Sequence, residues 1–110
     1  MSDTDWPIPS GLCPAGRKAA ETLRDFFVEK RIADHGGGGR FYSPAQWRER
    51  EELYGLGSVL IVTHDGGAHA DAFYPDGAPW ALHEALIERL NSRGFWYEVC
   101  TNWYSAVYLR

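Results

Sequence analysis

Two histidines and two aspartates surround a pair of glycines in the stretch HDGGAHAD, residues 64–71. Asp-Gly-Gly is typical of a tight turn, so we expect a hairpin in which His64 and His69 lie opposite each other. Opposed residues of a hairpin have Cβ atoms about 5 Å apart, close enough for two imidazoles to bind one metal ion. We predict either a metal or acid-base site here, or a polar hairpin tip without chemistry. The metal site would use His64, His69 and Asp71, with further donors available from Asp65, His83 and Cys100.

Two further stretches share part of a known binding motif. DHGGGGR, residues 34–40, is rich in glycine like a phosphate-binding loop, but no strand precedes it and no Lys-Ser or Lys-Thr pair follows it. We therefore expect these glycines to stop a helix and form a flexible link. RGFWYEV, residues 93–99, begins like the aromatic strand of RNA-recognition sheets, but Trp96 stands where that motif has a small residue and Glu98 where it has an apolar one.

Aromatic residues make up 15% of the chain, a large share for one small core. Near the carboxyl end, Thr101-Asn102 fits a two-residue turn between strands at 95–100 and 103–109. The expected core face of this hairpin carries Phe95, Tyr97, Val99, Tyr104, Ala106 and Tyr108. Its other face mixes tryptophans with polar groups, as interaction hot spots do. We predict a protein-binding surface there, unless a helix or the N-terminal arm covers it; its residues are Trp96, Glu98, Trp103, Ser105 and, on a separate helix, Trp47.

Local signals place the elements that would position these residues. Helical spacing predicts helices at 14–33 and 78–92, and a capping box from Ser43 to Gln46 predicts a third helix at 44–54. The apolar run at 58–63 predicts a central strand, and residues 70–74 a returning strand. We predict an α+β fold: a single two-layer domain at 13–110, with a mostly antiparallel sheet of about four strands and three helices in the order α-α-β-β-α-β-β. Residues 1–12 are expected to form an extended N-terminal arm.

Composition narrows the function classes. The net charge of −4 does not favour phosphate binding, and neither a signal peptide nor a membrane span is visible. Two cysteines without a CxxC pair are expected to be reduced thiols of a cytosolic protein. We expect a small non-catalytic module that needs no cofactor and binds a protein partner, with the build of accessory or inhibitory proteins of phages and mobile elements. The alternatives are a metal-dependent or acid-base enzyme using the His64/His69 hairpin, and a nucleic-acid binder.

Overall fold

The computed structural model describes residues 6–74 and 80–110. These residues form a small α+β domain with a four-stranded antiparallel sheet, which confirms the predicted fold class. The helices are α1 (Pro14–Glu29), α2 (Pro44–Glu49) and α3 (Trp80–Ser92), and a 3-10 helix spans Ala68–Phe73. The strands are β1 (Phe41–Tyr42), β2 (Leu60–Thr63), β3 (Phe95–Thr101) and β4 (Tyr104–Leu109).

The sheet has the strand order β1-β2-β4-β3, so β3 lies at one edge. One side of the sheet, the helix-covered face, packs against α1 and α3. The main hydrophobic core lies between these two layers, and its sheet residues include Leu60, Val62, Phe95 and Val107. The opposite side, the outer face, carries a smaller cluster to which α2 contributes one tryptophan; its buried members are Trp47, Ile61, Tyr104 and Ala106. Because both faces are covered there, β2 is buried along its whole length, as an apolar central strand should be.

The helix starts follow from local sequence. Pro14 takes the first position of α1, where its fixed φ is favourable and its missing N–H is not needed. At the start of α2, Ser43 Oγ accepts a hydrogen bond from Gln46 N at 3.1 Å, and Gln46 Oε1 accepts one from Ser43 N at 2.8 Å. The predicted capping box is therefore present.

The helix ends differ from the prediction. The last residues are Glu29 rather than Ala33 in α1, and Glu49 rather than Tyr54 in α2. Shortly after each end, a non-glycine residue adopts a left-handed φ, 60° at Arg31 and 63° at Glu51. Ile32 N then donates back to Phe27 O at 2.8 Å, which is the hydrogen bond of a Schellman motif, and α2 closes in the same way. The left-handed position of this motif is normally a glycine. Because arginine and glutamate stand there instead, the sequence did not indicate these two helix ends.

One predicted strand is wrong. Residues 70–74 do not pair with β2; residues 68–73 form the 3-10 helix instead, and the fourth strand is the short β1. The buried residues of this segment, His69, Ala72 and Phe73, follow helical rather than alternate spacing. The packing of these three side chains against the core therefore determines that residues 68–73 form a 3-10 helix and not a strand.

Residues 6–12, the described part of the predicted arm, reach the core through Trp6. Its side chain is 1% exposed and its Nε1 donates to Ala33 O at 2.8 Å. The indole contacts Phe27 and Phe41, with ring centroids 4.8 and 5.0 Å apart. Within residues 6–74 and 80–110, no helix combines the length and the hydropathy that crossing a bilayer requires.

Candidate functional site

The HDGGAHAD segment is not a hairpin, so His64 and His69 are not cross-strand partners. His64 follows the last residue of β2 and its N–H donates to Trp103 O at 2.8 Å, while His69 lies on the 3-10 helix. Asp71 is exposed on the outside of that helix. In the part of the chain that the structure describes, no three His, Cys, Asp or Glu side chains are grouped so that they could hold a metal ion.

His64 is instead the centre of a hydrogen-bond chain. Tyr74 Oη donates to the Asn102 carbonyl at 2.6 Å, so it accepts from the Nδ1–H of His64 at 3.1 Å. Nε2 then carries no proton, and Ser105 Oγ donates to it at 2.8 Å. This tautomer is assigned from the hydrogen-bond partners. These hydrogen bonds connect the end of β2 with β4, with the β3–β4 turn and with the residue after the 3-10 helix.

A serine hydroxyl that donates to a neutral histidine is the arrangement found in activated serine nucleophiles. Here both residues are too deeply buried to meet a substrate. Ser105 is 0% exposed and His64 2% exposed, and the imidazole stacks on Phe73 with centroids 4.9 Å apart. Burial lowers the pKa of His64 from 6.5 to about 4, so the ring is neutral at physiological pH. Because the serine oxygen has no access to solvent, these hydrogen-bonded side chains lack the access that a substrate would need.

His69 is also part of the core. Its Nε2–H donates to the Thr63 carbonyl at 2.9 Å, and its ring meets Trp6 edge to face with centroids 4.7 Å apart. Its Nδ1 is buried without a hydrogen-bond partner. Burial lowers the pKa of His69, against a smaller opposing effect of the Thr63 carbonyl. Both histidines of the segment are therefore packing residues.

The glycine run at 36–39, which the sequence suggested as a flexible link, makes specific contacts with a neighbouring loop. It packs against the loop at 64–68: Ala68 N donates to Asp34 O at 2.8 Å, and Thr63 Oγ1 donates to Gly38 O at 2.6 Å. A Cβ at Gly36, which has a φ of 62°, would collide with the backbone of the facing loop. The four glycine amides donate to acceptors within their own loop, so they are not presented to a phosphate.

The β3–β4 turn determines where the predicted partner-binding residues lie. The turn is Asn102-Trp103, one residue later than expected, and a register shift lies just before it on β3, between Val99 and Thr101. Beyond this shift Val99 pairs with Ser105, and the pairs further along follow that register. Since paired residues share a face, a change of one residue moves every β4 side chain to the face opposite to the predicted one.

The predicted grouping on one face is therefore wrong. Trp96 and Glu98 lie on the outer face, but Ser105 lies on the helix-covered face, where it binds His64. Trp47 is fully buried under the outer face and contacts the half-buried Trp103, with centroids 5.5 Å apart. The structure thus brings Trp96 together with Glu98, and Trp47 together with Trp103, at separate places.

Tyr108, which the sequence placed in the core, joins Trp96 and Glu98 instead. The Trp96 and Tyr108 rings are stacked, with centroids 4.6 Å apart and an interplanar angle of 19°. Tyr108 Oη donates to Glu98 Oε1 at 3.5 Å, and burial raises the pKa of Tyr108, so the phenol keeps its proton. Trp96 is still 42% exposed. We call these three residues, Trp96, Glu98 and Tyr108, the Trp96 surface.

A cavity of about 340 Å³ adjoins the Trp96 surface where the edge strand β3 meets α3. Two of its residues, Ile87 on α3 and Val99 on β3, are each 40% exposed. Arg110 also lines it, and its guanidinium donates to the Asn91 side chain. The complete lining is Ile87, Leu90, Asn91, Trp96, Tyr97, Val99 and Arg110. Three of these residues belong to the stretch RGFWYEV that the sequence analysis singled out. Nothing in the sequence indicated the residues that α3 contributes to the cavity.

A scan against protein-family models, a search of curated proteins and a search of solved structures found no match to this chain.

Proposed function

We propose that this chain is a small non-catalytic interaction module that binds a protein partner through the Trp96 surface. The observation that carries the proposal is the stacked Trp96 and Tyr108 pair, in which Trp96 on the edge strand remains exposed and Tyr108 half-buried, while most other rings of the described residues are packed inside. Large rings fixed in one orientation contribute much contact area and lose little conformational entropy when a partner binds.

The neighbouring groups favour a protein over a nucleic acid. Glu98 lies beside the ring pair, where its carboxylate would repel a phosphate backbone, and the nearby Arg110 guanidinium already donates to Asn91. The same carboxylate can pair with a basic side chain of a protein partner. Ile87 and Val99 extend the apolar area along the adjoining cavity. The proposed accessory or inhibitory role would use this surface.

The test is partner capture with matched variants. Tagged protein is used to isolate its binding partner, which is identified by mass spectrometry, and the dissociation constant for the purified partner is then measured. Trp96→Ala removes the exposed ring and should weaken binding at least about tenfold, the size expected for a hot spot. Glu98→Lys should weaken binding through charge reversal while leaving the stacked rings in place.

The control is Trp80→Ala on α3, because Trp80 is 54% exposed and lies outside the Trp96 surface. Circular dichroism and thermal melting establish that all three variants are folded. The proposal predicts that the Trp80 variant binds like the unmodified protein. Equal binding by the Trp96, Glu98 and Trp80 variants would contradict it.

A further inference from the structure

We infer that the free edge of β3 binds an extended peptide segment of the partner as an additional strand of the sheet. This inference rests on the proposed function, because it names the part of the partner that the module binds. It goes further because it proposes that the main-chain groups of β3 and the adjoining cavity also contact the partner.

The backbone of β3 presents an unpaired row of hydrogen-bonding groups. Arg110 N donates to Gly94 O at 2.9 Å, and with the observed register this makes Trp96 and Glu98 the residues whose main-chain groups bond to β4. The residues between them, Tyr97 and Val99, therefore direct their N–H and C=O groups away from the sheet. In the described part of the chain, no strand pairs with that side of β3.

Before its bulge, this edge has little of the usual protection against strand addition. β3 has seven residues and is the longest strand of the sheet, and its sequence FWYEVCT contains neither proline nor lysine. Its bulge lies near the turn, between Val99 and Thr101, so the stretch before it remains regular. A long, regular and mostly apolar edge is a template for another strand.

The side chains around this edge define the chemistry of the added segment. A residue placed opposite Val99 or Tyr97 would point to the helix-covered side, into the cavity beside Ile87, and should be apolar. A residue opposite Glu98 would point to the outer face and should be basic, since directly opposed charges stabilise a strand pair. The partner segment is therefore extended, with a basic residue between two apolar ones.

A second copy of this chain is a bulkier occupant of the same edge than a peptide strand. α3 packs over β3 on the helix-covered face, so joining two β3 strands would bring two α3 helices onto the same face. A single peptide strand carries no such helix and meets no such obstacle.

The experiment uses isotope-labelled protein and the acetylated peptide Ser-Val-Lys-Val-Ser-Val as probe. Strand addition predicts that the amide hydrogens of Tyr97 and Val99 exchange at least about tenfold more slowly at saturating peptide, because they become hydrogen-bonded. The amides of Trp96 and Glu98, which already bond to β4, should change little. Replacing the lysine of the peptide by glutamate should weaken binding to the unmodified protein, and Glu98→Lys should reverse that preference.

Val99→Pro removes an outward N–H and should abolish peptide binding, whereas Val99→Ala keeps the N–H and should retain most of it. If the proline variant does not fold, the exchange measurement on the unmodified protein still decides. Peptide binding without slower exchange at Tyr97 and Val99, or no binding at about millimolar peptide, would overturn strand addition. Loss of the natural partner in Trp96→Ala, with unaltered exchange in the partner complex, would leave the proposed function standing and refute only this inference.

Discussion

Acidification should destabilise this protein through His64. Burial lowers the pKa of its imidazole from 6.5 to about 4, and both ring nitrogens already have hydrogen-bond partners suited to the neutral form. In the unfolded chain the ring regains its ordinary pKa of 6.5. Between these two pKa values the unfolded state binds a proton that the folded state does not. The stability contributed by the neutral ring is therefore complete above about pH 6.5 and is lost as the pH falls toward 4.

The expected magnitude follows from proton linkage. With a pKa of 6.5 in the unfolded state and about 4 in the folded state, this one group should remove about 1.4 kcal/mol by about pH 5.5. The loss should reach about 2.5 kcal/mol by about pH 4.5. Such a loss is a large fraction of the about 5–15 kcal/mol that stabilises a typical domain. His69 changes stability in the same direction, because burial lowers its pKa as well.

The assay is urea unfolding at several pH values, with His64→Gln as the matched variant. The glutamine amide can still accept from Ser105 and donate to Tyr74, but it does not titrate. The unfolding free energy of the unmodified protein should fall between about pH 7.5 and 4.5 by about 2.5 kcal/mol more than that of the variant. Comparing pH dependences removes any constant cost of the substitution, and it also cancels the shared contributions of His69 and the carboxylates.

Parallel pH dependences of the unmodified protein and His64→Gln would refute this reasoning, since they would mean that the folded and unfolded states hold His64 with the same pKa. Nitrogen NMR offers a second check: near pH 5.5 the ring of His64 should still be neutral, with its proton on Nδ1. A proton on both ring nitrogens in the folded protein at that pH would contradict the assigned hydrogen-bond chain.

Three further outcomes can be measured with the same protein. Arg31→Gly should raise the unfolding free energy by about 1 kcal/mol, because glycine adopts the left-handed φ of 60° without the steric cost that arginine meets there; unchanged or lower stability in urea would contradict the assigned helix end. Gly39→Ala should lower the unfolding free energy by about 1–3 kcal/mol, because a Cβ would collide with the imidazole beside it, whereas the control Gly57→Ala, with no atom near its added Cβ, should be close to neutral. Iodoacetamide should modify the exposed Cys13 much faster than Cys100, whose pKa burial raises to about 11, and Cys13→Ser should remove the fast phase; equal rates would argue against the burial of Cys100.

The parts of the fold that depend on short-range chemistry were predictable from the sequence. Pro14 and the Ser43–Gln46 capping box place the starts of α1 and α2, because the residues that satisfy a helix N-terminus lie within a few positions of it. The apolar β-branched run that became β2 is recognisable as a central strand for a similar reason, since burial on both faces demands apolar residues throughout. The α+β class follows from these elements.

Features decided by tertiary contacts were not predictable in this way. The 3-10 helix replaces the expected strand because His69 and Phe73 are drawn into the core beside Trp6 and Phe27. Nothing near these residues in the sequence distinguishes that outcome from a short strand. The proposed metal pair depended on the hairpin, so it was lost together with the returning strand.

The candidate surface depended on a single residue of register. Trp96 and Glu98 were correctly assigned to one face of β3, because alternation within one strand needs no knowledge of its neighbour. To predict which face each β4 side chain occupies, one must also know the position of the turn and of the bulge. Together they change the β3–β4 register by one residue from the register of the expected hairpin. Ser105 therefore moved into the core beside His64, and Tyr108 moved out to stack on Trp96. The edge position of β3 is likewise a long-range property: it exists because β4 pairs with β2 on its other side, and it makes the exposed ring pair and the free main-chain groups parts of one surface.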